Sequence, residues 1–213
     1  MLKALATGAT LLASIAATAA PAHAAPSPPS RDKMAIDVVS ANGSGCPWGT
    51  AAVTVSPDSK AFTVSYSEFT AQAGAGTKPT DFRKNCQLGL NVHVPQGYTY
   101  AIASTDYRGF AHLERGASAT QTSYYYFQGE PHTSRSRHNF TGPTDGNWQR
   151  TDTIGISSLA FMPCGEDRYL NVNTELRVNA GRSDRQKKTT SFLTMDSTDG
   201  NLDTIYHVAW KKC

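Results

Sequence analysis

The chain is 213 residues long with a formal net charge of +3 at pH 7. That length suffices for one domain with a substantial core. So small a basic excess argues against nonspecific nucleic-acid binding, which needs a strongly basic surface.

In chain order, the first segment is MLKALATGATLLASIAATAAPAHAA. Lys3 precedes an apolar run that ends in Ala22-His23-Ala24, a small-x-small pattern. Residues 1–24 therefore read as a secretory signal peptide cleaved after Ala24. Residues 25–33, APSPPSRDK, read as a disordered Pro/Ser-rich leader. A single domain is expected over residues 34–213. No later stretch is apolar enough to span a bilayer.

Within that domain the spacing predicts short strands. Ala51 to Val55 is β-branched, Ser56-Pro57-Asp58-Ser59 forms a turn, and Phe62, Val64 and Tyr66 then alternate with Thr63, Ser65 and Ser67. Cys86, Leu88, Leu90, Val92 and Val94 share one face of a further strand, with His93 on the wet side. Pro95-Gln96-Gly97 then turns the chain into Tyr98, Tyr100 and Ile102, which predicts a hairpin. Tyr124-Tyr125-Tyr126-Phe127 is the densest aromatic run, with rings sent alternately to both faces. The stretch HTSRSRH, from His132 to His138, reads as a loop. Leu170 to Ala180 is the clearest strand. Leu170, Val172, Thr174, Leu176, Val178 and Ala180 face one way, and Asn171, Asn173, Glu175, Arg177 and Asn179 the other. The basic run Arg182 to Lys188 reads as a solvated loop. A turn at Asp196 to Gly200 leads to a last strand, Ile205 to Lys211.

No window keeps a 3.6-residue apolar period. The prediction is an all-β domain, a jelly-roll-like antiparallel β-sandwich in which about ten one-sided strands bury their faces in two packed sheets. Four cysteines, Cys46, Cys86, Cys164 and Cys213, lie beyond the leader. Their wide spacing argues for disulfides over a zinc site. Of the three connectivities, Cys46–Cys86 with Cys164–Cys213 needs the smallest loops and is expected.

Chemistry is harder to locate. His93, His112, His132, His138 and His207 lack the spacing of a metal site, and no metal or cofactor is expected. G-x-S-x-G, H-E-x-x-H and the P-loop are all absent. Acidic residues around Gly200, from Asp196 to Asp203, could form a calcium loop, but their spacing also suits a plain turn. Asn42-Gly-Ser44 and Asn139-Phe-Thr141 fit the glycosylation sequon.

The blocks GSGCPWGTA, SPDSKAFTVSYSEF, RKNCQLGLNVHVPQGYTYAI, DYRGFAHLERGA, YYFQG, PCGEDRYLNVNTELRV and MDSTDGNLDTIYHVAWKKC occur in this order. Over Ile36 to Cys213 the chain resembles a family of secreted proteins known as "domain of unknown function 4360", found mainly in filamentous actinobacteria, with relatives in fungi. The resemblance implies export and a β-rich domain. It implies no activity, cofactor or catalytic residue.

The favoured expectation is a non-catalytic extracellular binding module, monomeric, acting on a glycan or a cell-surface protein. Tyr124, Tyr125, Tyr126, Asn171, Asn173, Glu175 and Arg177 are the candidate binding residues. One alternative is a secreted hydrolase whose acid and base carboxylates meet only in three dimensions. Another is a protease inhibitor presenting a disulfide-braced loop.

Overall fold

The structure, a computed structural model, describes residues 33–182, 189–195 and 203–213. The expected signal peptide, almost all of the leader, most of the Arg182–Lys188 run and the Asp196–Asp203 turn up to residue 202 lie outside the described residues. Among the described residues every regular element is a strand, apart from one short 3-10 turn at Ile156–Ser158. No helix among the described residues is long and apolar enough to cross a membrane.

The first sheet has the order β1 (Ala35–Asn42), β5 (Arg83–His93), β10 (Leu170–Asn179), β7 (Ser118–Phe127) and β8 (Ser134–Thr141). The second contains β2 (Ala51–Val55), β3 (Ala61–Tyr66), β12 (Thr204–Lys212), β6 (Tyr98–Leu113), β11 (Thr190–Thr194), β4 (Thr70–Gly74) and β9 (Thr144–Thr153). Its axis is the 16-residue β6. One flank of β6 is shared end to end by β12 and β11, and β9 covers the other. All pairings are antiparallel.

Period-two alternation decides which side chains lie between the sheets. On β10, Leu170, Val172, Thr174, Leu176 and Val178 are buried, as their spacing predicts. On β5, Cys86, Leu88, Leu90 and Val92 meet them. From the second sheet come Phe62, Tyr66, Tyr107 and Tyr206, fully or almost fully buried. Phe62 stacks on Tyr206 with ring centroids 4.9 Å apart, and Tyr125 meets Tyr206 edge-on. This tyrosine-rich interior needs polar partners, and it has some. Ser136 donates to the Tyr107 hydroxyl, and Gln121 donates to Ser123.

One expectation fails. β5 and β6 do not form a hairpin. Pro95-Gln96-Gly97 carries the chain from the first sheet to the second, so the two strands lie in opposite layers. Alternation places a dry face toward a core, and two strands can satisfy it side by side or face to face. Here β10 and β1 take both edges of β5. The segment read as a loop at HTSRSRH also becomes ordered backbone: β8 pairs with β7 from Ser134 to Thr141.

Two disulfides brace the sandwich. Cys46–Cys86 (Cα–Cα 5.2 Å) ties the turn after β1 to the buried face of β5. Cys164–Cys213 (Cα–Cα 5.7 Å) ties the loop before β10 to the final residue.

Candidate functional site

The site is built on the outer face of the first sheet, where the polar half of each alternation collects. The register aligns the side chains in transverse rows. Asn173 lies opposite Gln87 on one side and Tyr124 on the other, and Tyr124 lies opposite Arg135. The next row is Asn85, Glu175, Thr122 and Arg137, and the next Arg83, Arg177, Thr120 and Asn139. Gly89 lies between Ser40 and Asn171. A Cβ there would sit 2.7 Å from Ser40 Oγ, so the floor at that point stays flat.

The face therefore brings together Tyr124, Tyr126, Asn171, Asn173, Glu175 and Arg177. Tyr125 does not join them. It points inward and is only 7% exposed, because successive strand residues take opposite faces and the odd position here belongs to the core. Arg83, Arg135, Arg137, Gln87 and Thr120 belong to the same face and were not singled out from the sequence. The two β8 arginines had a signal. Ser134, Ser136 and His138 alternate with Arg135, Arg137 and Asn139, a period of two without the apolar partners that usually reveal a strand.

Glu175 is the electrostatic centre. Arg83 Nε donates to its Oε2 at 2.6 Å, and Arg177 Nε donates to Oε1. Burial pushes the Glu175 carboxyl up, but the hydrogen bonds from Arg177 and Arg83 outweigh it and hold the group below the usual glutamate range. The Arg135 guanidinium lies over the Tyr124 ring, 5.4 Å from its centroid.

Two depressions run across this end of the sheet. A basin of about 320 Å³ has Thr120 and Thr122 in its floor and Tyr124, Arg135, Arg137, Glu175 and Arg177 around it. A groove of about 590 Å³ lies between Phe82, Ala73 and Gly74 and the ends of β7 and β10. Thr120 and Arg177 line both, so the two depressions adjoin at that row and together mark out a track across the face. Phe82, 45% exposed, borders its far part.

The histidines find partners that spacing did not reveal. His93 donates to Asp37 on neighbouring β1 at 3.1 Å, and His112 donates to Asp145 on β9 at 3.1 Å. His138, expected in a loop, faces inward and joins Asp152 across the two sheets at 3.2 Å. His207 and Thr151 both donate to Asp106 on the outer face of the second sheet. The Thr151 hydrogen bond holds the Asp106 carboxyl below its usual range against the opposing effect of burial, and His207 adds to it. His132 is exposed. No cluster of three or more His, Cys, Asp or Glu side chains suited to a metal occurs among the described residues.

Fold and site together define a disulfide-braced β-sandwich whose first sheet has a polar outer face bordered by aromatic side chains. The chain belongs to the family described as "Domain of unknown function (DUF4360)", whose profile matches residues 32–213. It is similar to an "Uncharacterized secreted protein" of Arthroderma benhamiae, with 37% identity over 185 residues, covering 87% of this chain and 74% of that one. The relationship and the two disulfides make this a secreted, extracellular protein. Among solved structures, a likeness to the enzymatically active domain of tailspike protein 4 from bacteriophage CBA120 has 10% identity and a TM-score of 0.27. It covers 86% of this chain but only 20% of that one, and carries no argument about activity.

Proposed function

We propose that this secreted protein is a non-catalytic binding module that holds an extended glycan across the outer face of its first sheet. The observation that carries the reading is the adjoining pair of depressions, one lined by Phe82 and the other by Tyr124. Aromatic faces suit the apolar faces of sugar rings, and Asn171, Asn173 and Gln87 offer both donors and acceptors to hydroxyls. The hydrolase alternative has less support. Its general acid needs a raised carboxyl pKa, whereas Glu175 and Asp106 are both lowered by their hydrogen bonds.

Retention on insoluble polysaccharides and cell walls, with released sugar assayed in parallel, tests the reading. Tyr124→Ala and Phe82→Ala are each expected to weaken retention about fivefold or more, as loss of a binding anchor does. Sugar release abolished by a single Asp or Glu substitution would establish the hydrolase instead. We also propose that residues 1–24 are removed on export. N-terminal sequencing of the exported protein should then start at Ala25, and a chain retaining Met1 refutes this.

A further inference from the structure

We infer that the glycan held by this face is anionic, its carboxylates or phosphates seated on Arg135, Arg137 and Arg177. The inference rests on the binding-module reading and adds the charge of the ligand.

The basin gathers three guanidinium groups around a small volume, and Glu175 is the only carboxylate lining it among the described residues. Glu175 is already engaged by Arg83 and Arg177. Arg135 and Arg137 have no carboxylate within ion-pair distance among the described residues. They occupy alternate positions of one strand, so both project from the same face about 7 Å apart. Tyr124 fixes Arg135 through its π-face. Stacking of this kind leaves the in-plane N–H groups free to fork onto an oxyanion.

Cations of one sign held in a concavity focus the local potential and repel one another until an anion arrives. A neutral glycan could accept hydrogen bonds from these groups but would leave their charge uncompensated. A nucleic acid would need a broader basic surface than a net charge of +3 supplies. Meanwhile the amide rows beside the arginines suit sugar hydroxyls. The track is also longer than the basin, which suits a polymer with repeated charges.

Calorimetry on the intact exported protein tests this with four probes. Polygalacturonic acid supplies carboxylates, and a phosphomannan supplies phosphates. Fully methyl-esterified polygalacturonan is the neutral control, and single-stranded DNA the non-glycan polyanion. The expected result is salt-sensitive binding to one or both of the first two, and the better of them names the oxyanion. R135Q/R137Q should weaken that binding about tenfold, with R135K/R137K intermediate because charge remains but the fork is lost. Glu175→Gln should tighten it by removing the competing anion. Unchanged near-ultraviolet circular dichroism shows that each variant has kept its fold.

If the methyl ester binds as tightly as the acid and R135Q/R137Q has no effect, the anionic inference fails while the binding-module reading stands. If none of the glycans binds and the protein is not retained on insoluble polysaccharides or cell walls either, both fail. DNA binding as tight as the best glycan, with the same arginine dependence, overturns the glycan assignment.

Discussion

Glu175 shows how little a single residue declares before the chain folds. In the sequence it is one acidic position on the wet side of a strand. In the sheet, Arg83 lies opposite Arg177 on β5, and both reach the same carboxylate. The consequence is a pH dependence with a defined sign. The folded pKa is lowered from 4.5, so the carboxylate contributes stability that is fully present above that value. The contribution is lost as pH falls through the lowered folded value. Thermal unfolding followed from about pH 6 down to pH 3 should show a declining limb that Glu175→Gln flattens. An unchanged limb in the variant would mean that the three side chains do not interact in solution. His93 carries the same lesson, since its partner Asp37 stands 56 positions away in sequence.

Single elements were easier to read where one face was apolar. In β10 five inward residues, Leu170, Val172, Thr174, Leu176 and Val178, alternate with polar ones, and the burial follows that pattern. Two substitutions on this strand should therefore behave differently. Leu176 is fully buried, and Leu176→Ala is expected to cost about 2–5 kcal/mol in urea unfolding. Asn173→Ala, on the outer face, should change stability by no more than about 0.5 kcal/mol while weakening ligand retention. Equal costs at the two positions would refute the face assignment. β8 was missed for the opposite reason. Its alternation is serine against arginine, which carries no hydrophobic signal, and its ordering depends on pairing with β7. The 95–97 turn misled because Pro-x-Gly marks a reversal without saying which sheet receives the next strand.

For the whole molecule, the staples and the tyrosine core set the limits of stability. Each disulfide closes a loop of several tens of residues, separations of 40 and 49. Chain entropy alone gives about 3–4 kcal/mol for such a loop. Cys164→Ser with Cys213→Ser is thus expected to lower stability by about that amount and to loosen the end of β12, where Cys213 N–H also donates to Gly97 O. Hydrogen exchange at Val208 to Lys212, compared with β10, reads this directly. Exchange that accelerates equally in both strands would indicate global loosening instead of release of one end. The buried phenols add an alkaline limit. Burial raises the pKa of Tyr66, Tyr100, Tyr107 and Tyr206, so their contribution is full below 10.0 and lost as pH rises through the raised values.

The amino-acid sequence by itself determined the class of the protein: export-compatible cysteines, strands of period two, and dry faces that two packed sheets bury. These are local properties, since side-chain alternation and cysteine count need no knowledge of neighbours. Tertiary structure alone decided which strands became neighbours, and so which polar residues share a face. The union of Arg135 and Arg137 from β8 with Glu175 and Arg177 from β10 spans β7 between them, and Phe82 joins from before β5. No spacing in the chain encodes that meeting, because it depends on strand order and register, which are fixed by competition among all the dry faces at once.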